Sequence, residues 1–127
     1  MSIEDIARGG SSASQEAFNY LREQMKAEPN VVEGVEYEPL KDVEAPTYSV
    51  RDTPRVRVFF GEKLELFLFI PEKSVPNIKA DQTVPEALRG WIDRAQLGGM
   101  SRLLRVQLGS KDDVGVLMPL IKAVVRQ

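Results

Sequence analysis

Residues 55 to 70 read RVRVFFGEKLELFLFI. Two runs of β-branched, aromatic and aliphatic residues flank Gly61, Glu62 and Lys63, and runs of this kind separated by three residues containing glycine predict a β-hairpin. With those three residues as the loop, Phe60 stands opposite Leu64. Side chains alternate between the faces of a strand. One face therefore collects Val56, Val58, Phe60, Leu64, Leu66 and Leu68, and the other Arg55, Arg57, Phe59, Glu65, Phe67 and Phe69. The first is a core face. The second mixes two arginines, three phenylalanines and a carboxylate, an unusual content for either a surface or a core. A two-residue loop at Glu62 and Lys63 is the competing register, and it moves Phe67 and Phe69 onto the face of Val56 and Val58.

Downstream, Pro71 and Pro76 bracket an expected loop. Thr83 and Glu86 have the T-x-x-E spacing of a capping box, with Pro85 in the first turn. Val84, Ala87, Leu88, Trp91, Ile92 and Ala95 then form one helical stripe, and Gly98 and Gly99 are expected to end it. Residues 102 to 108 alternate as a third main strand, Leu104, Val106 and Leu108 inward, Leu103, Arg105 and Gln107 outward. Ser110 and Asp113 mark another cap. Val114, Leu117, Met118, Ile121, Val124 and Val125 keep helical spacing to the end, so the spacing predicts one helix kinked at Pro119. The competing reading is a strand over 114–118 and a short helix opening at Pro119.

Upstream, Ser2 and Asp5 have capping-box spacing for a single turn that Gly9 and Gly10 end. Ser11 to Ser14 reads as a connector with Ser14 as the next N-cap, followed by an amphipathic helix over about 15–27 carrying Ala17, Phe18, Leu21 and Met25. Val35 and Tyr37 alternate with Glu36 and Glu38 as a short edge strand, and Thr47 to Val50 is a second extended piece in a proline-punctuated stretch. The expectation is a flexible N-terminal segment over 1–14 and a single α+β domain over 15–127. Its mostly antiparallel sheet of three to five strands is built on the central hairpin, with about three helices on one face.

A chain of 127 residues, 43% of them hydrophobic, can bury a core without metals or disulfides. It has no cysteine and no histidine, which removes thiolate and imidazole chemistry and disulfides alike. Gly109, Ser110 and Lys111 imitate only the last fragment of a phosphate-binding loop, and Asp112 and Asp113 suit a helix N-terminus. The expectation is a protein that is not an enzyme and uses no cofactor or metal. The longest charge-free apolar stretch, 114–121, falls well short of the roughly 20 residues of a membrane-spanning helix. The start, MSIEDIARGG, is acidic where a secretory leader is basic. No membrane partner is expected, and the expected compartment is the cytoplasm. Residues 1–50 carry ten acids against four bases and residues 51–127 nine against thirteen, an asymmetry that fits either a basic binding surface or two solvated faces that neutralise each other.

The functional expectation rests on the second hairpin face. Arg55, Arg57, Phe59, Phe67 and Phe69, joined by Arg105 from the next strand, are the residue types of a platform on which single-stranded DNA or RNA stacks its bases and pairs its phosphates. Glu65 is a poor guest in it. The plainer reading is that both faces are covered, with the arginines paired to acids. The alternative function is a protein-protein interaction or assembly module, a homo-oligomer using the same face and the apolar C-terminal tail.

Overall fold

The hairpin adopts the three-residue register. The computed structural model describes residues 1–127, and in it β3 (Thr53–Phe59) and β4 (Leu64–Pro71) pair with Phe59 opposite Glu65 and Arg57 opposite Phe67. Two outer hydrogen-bond sources hold the loop. The Ser11 N–H and the Ser14 hydroxyl donate to the Gly61 carbonyl at 2.9 and 3.0 Å, and the Ser11 hydroxyl donates to the Glu62 carbonyl at 2.7 Å. Ser11 is also the N-cap of α2 (Ser12–Lys26), accepting from the Ser14 N–H, so the cap lies three residues before the position expected from sequence. Gly10 is required by space here: a Cβ would overlap Ser14 Oγ and lie 3.2 Å from the Phe60 ring.

Around the hairpin the sheet has six antiparallel strands in the order β1-β2-β3-β4-β6-β5, one more than the upper end of the expected range. β1 (Val32–Glu38) is the acidic edge strand expected. β2 (Val43–Val50) extends the expected 47–50 piece toward the N-terminus, and β6 (Ser101–Leu108) is the third main strand with the inward and outward residues as read. The last strand, β5 (Gln96–Gly98), corrects the reading of Gly98 and Gly99 as a helix stop. Gly99, at φ +69°, instead makes the turn from β5 into β6.

There are five α-helices, against about three expected. α1 (Ile3–Ala7) has the Ser2–Asp5 capping box, and Ile3 joins the core, so residues 1–14, read as a flexible lead, hold a helix and the opening of α2. A 3-10 turn over Glu72–Ser74 and the start of α3 (Val75–Ala80) occupy the loop expected between Pro71 and Pro76, with Pro76 harmless in the first turn of α3 and Val75 and Ile78 buried. In α4 (Glu86–Arg94) the Thr83–Glu86 box does not form. Thr83 donates its N–H and hydroxyl to Asp81 Oδ1 at 2.9 and 2.6 Å, and Pro85 stands at the N-cap. α5 (Lys111–Val125) runs through Pro119 as one helix, as its apolar spacing demanded. α2 and α5 pack together over the inner sheet face, where Phe18, Leu21, Leu66, Leu68, Val106, Leu117 and Ile121 belong to one core cluster. No helix is long and apolar enough to cross a membrane.

Beside this core, Glu33 of β1 accepts from Arg22 of α2 at 2.9 and 3.0 Å and from the Tyr48 hydroxyl at 2.8 Å. Burial works to raise its pKa, and these hydrogen bonds outweigh burial, holding it below the ordinary 4.5. A depressed folded-state pKa contributes stability that is present above the unfolded value and lost as pH falls through the folded one. Urea midpoints measured from pH 7 down to about pH 3 should therefore fall more steeply for the wild type than for Glu33→Gln; parallel curves would contradict this role.

Candidate functional site

The outer sheet face, which no helix covers, gathers the residues picked out by the hairpin pattern. Phe59, Phe67 and Ala45 form a second buried cluster with Phe69 and Leu103 against it. The rings meet edge to face, Phe59 to Phe67 at 4.6 Å between centroids and Phe67 to Phe69 at 6.2 Å. Cations close over them: Arg105 over Phe67 at 5.0 Å, Arg57 over Phe69 at 5.3 Å and Lys41 over Phe59 at 5.5 Å. Lys41 is in turn paired with Glu65. As a result Phe67 is 0% exposed and Phe59 8%, too enclosed to offer a ring face to a base. Phe69 is half-buried and Arg105 is exposed.

Arg57 is spent on structure. Its Nη1 donates to Glu38 Oε1 at 2.8 Å, its Nε to Thr47 Oγ1 at 2.9 Å and its Nη2 to Glu36 Oε1 at 3.4 Å. The Leu40 N–H donates to the other Glu38 oxygen at 3.0 Å, so both members of this buried pair are satisfied. Glu36 and Glu38 are acids of the first half of the chain, as the plainer reading expected. The helix of residues 12–26 lies on the opposite face.

Arg55 differs. Pairing steps from Tyr48 opposite Val56 to Ser49 opposite Pro54, so Arg55 is the extra residue of a β-bulge. The preceding turn, Arg51-Asp52, has both residues at positive φ, 50° and 62°, and with Val50 opposite Thr53 it is a two-residue hairpin turn of the kind that glycine and asparagine usually occupy. Arg51 and Arg55 each donate through Nη2 to the Gln127 carbonyl, at 2.6 and 3.3 Å. Arg55 is 5% exposed, pairs with no side-chain carboxylate, and its Nε has no partner. Burial, and after it the Arg51 charge, lowers its pKa.

Both arginines line a cleft of about 820 Å³ at the end of the sheet, with Phe69, Lys73, Ser74 and Met100 among its walls. Its one carboxylate, Glu72, is taken up by Arg102 in a two-pronged pair at 2.7 and 2.8 Å. Three cations thus face the cleft, two of them bound to the main-chain oxygen of Gln127. No known family, curated protein or solved structure matches the chain. The arrangement must speak for itself. Of the six residues expected to form the platform, Arg55 and Phe69 share the cleft, while Arg57, Phe59 and Phe67 are enclosed and Arg105 covers Phe67 from outside. Arg51 and Lys73 were not singled out by sequence. Arg-Asp carries no turn signal, and Lys73 lies in the loop after the hairpin.

Because a buried pair protects both its charges, removing one member is costly and removing both is not. Glu38→Leu should cost about 3–5 kcal/mol in chemical denaturation, and adding Arg57→Met should restore most of it. Simple addition of the two losses would show that the pair is not the unit.

Proposed function

We propose that the chain is a non-enzymatic binding domain of the cytoplasm that takes single-stranded nucleic acid at the open end of the outer sheet face, not across the whole of it. What carries this reading is the cleft that combines Arg51, Arg55 and Lys73 with the half-buried ring of Phe69. Phosphates pair with guanidinium and ammonium groups, and a base rests on an aromatic ring. The exposed Arg105 extends the positive surface along β6. Phe59, Phe67 and Arg57 form the floor on which the contact residues stand.

Fluorescence anisotropy with a labelled single-stranded oligonucleotide should show binding that weakens with salt, with log K falling by about 2 per tenfold increase if three phosphates are contacted. Phe69→Ala should weaken it by about tenfold with the fold retained. No binding at low salt removes the reading.

A second reading, assembly with copies of itself, draws on a different observation. Val32, Tyr37, Leu40 and Val43, on the hairpin at the β1 edge, are exposed apolar or aromatic residues of the kind an interface covers. The apolar tail no longer supports it, since Val124 and Val125 are buried in the chain's own core. Light scattering should then give a mass above that of one chain, reduced by Val43→Lys; a monomer at all concentrations rules assembly out.

A further inference from the structure

The two edges of the sheet differ in length. β5 closes one with three residues, whereas β1 leaves a row of seven, Val32–Glu38, with no strand on its outer side. Open edges are ordinarily guarded by charge, and β1 carries three glutamates. Their charge is turned inward. Glu33 is held by Arg22 and Tyr48 and Glu38 by Arg57 and the Leu40 N–H, while Glu36, half exposed, reaches Arg57 at 3.4 Å. Gly34 is a second sign. A Cβ there would meet nothing within 4 Å, its φ is not positive, and its pairing with Thr47 is regular. Nothing inside the chain calls for a glycine at this position, and a glycine within a strand often marks the close approach of another backbone.

We infer that β1 pairs antiparallel with β1 of a second copy about a two-fold axis at Val35, joining the two six-stranded sheets into one. This pairing rests on assembly with copies of itself, the second reading of the function, and gives that assembly a surface and a register. Charge selects the register. Residues opposite each other in a sheet face the same side, so the axis must pass through a residue. At Glu33 or Glu36 it would set a glutamate against its own copy, and at Tyr37 it would set Glu36 against Glu38. An axis at Gly34 leaves Tyr37 and Glu38 without partners in β1. At Val35 all seven residues pair and no glutamate opposes another: Glu33 faces Tyr37, Gly34 faces Glu36 and Val32 faces Glu38. On the outer face, Gly34 leaves room for the side chain of Glu36 from the second copy. Val32 of the second copy, Glu38 and Val43 stand in one row, so two exposed valines come to shelter the Arg57–Glu38 pair. On the inner face Val35, already packed against the core, meets its own copy.

Two arms test this on the full chain. The chain has no cysteine, so a single introduced thiol reports on its own copy. Under mild oxidation Val35→Cys should give a covalent dimer, since opposite Cα atoms of an antiparallel pair lie about 5 Å apart, within reach of a disulfide. Val32→Cys, at a more exposed position, should not, because about 20 Å along the strands separates it from its copy. In the second arm the dissociation constant of the dimer is measured by light scattering over a dilution series. Position 34 is open in the single chain, so Gly34→Glu and Gly34→Lys keep the fold. The glutamate, set twice against Glu36, should weaken the dimer about tenfold, and the lysine should tighten it about fivefold. A dimer that neither charge affects and that Val35→Cys does not cross-link is held by another surface, which overturns the inference and leaves assembly in place. Equal weakening by both charges also overturns it, since charge then does not set the register. A monomer at every concentration removes the inference and the assembly reading together.

Discussion

The pairing register of β3 with β4 is the constraint on which the rest of the molecule depends, and it is held from outside the hairpin. A strand pair slipped by one residue would exchange every side chain between the two faces. The N-cap of α2 prevents this: Ser11 and Ser14 bind the Gly61 and Glu62 carbonyls from the same turn that starts the helix. Helix position and strand register are therefore one decision. Gly10 lets that turn approach Phe60, whose ring meets Phe18 of α2 edge to face at 4.9 Å. Core packing and loop geometry thus agree on the same register, the kind of consistency between levels that gives a single native state.

With register settled, the outer face has to be covered without a helix. It does so with its own side chains. Three phenylalanines pack among themselves, and Arg105, Arg57 and Lys41 lie over their rings. Long cationic side chains can shield apolar surface with their stems while keeping their heads near water or a partner. The mixed composition that looked odd in the sequence is the composition of a thin, self-covering layer. Glu65, out of place in a phosphate-binding platform, belongs in such a layer as the partner of Lys41.

Much of the inner layer was legible because it is periodic. The hairpin, β6 and the unbroken α5 follow from alternating or helical runs of Val, Leu and Ile, and the stripe of α5 prevailed over Pro119. The short elements were not legible. α3 has only six residues with Pro76 in its first turn, and β5 has three residues, all exposed. The cap at Thr83 failed because Asp81, two residues away, supplies a nearer acceptor. The cleft was the least legible of all. It exists because of a one-residue bulge and a turn with two non-glycine residues at positive φ, neither of which leaves a pattern in the letters. Strict alternation put Arg55 and Arg57 on one face, as equals.

They are not equals. Arg57 lies between β2 and β4, close to Glu36 and Glu38 of the acidic edge, and its charge is balanced within the sheet. Two residues earlier the bulge breaks the pairing with β2, and the carboxylates of β1 no longer reach. Arg55 is left beside Arg51, and both donate to the main-chain oxygen of Gln127, the last residue. The buried Nε of Arg55 has no hydrogen-bond partner. Identical side chains on one strand therefore have opposite meanings. One is paired with side-chain carboxylates within the sheet, and the other is turned to the last residue of the chain and the cleft beside it. The cleft lies at the ends of paired strands, where the scaffold is rigid enough to hold a binding geometry.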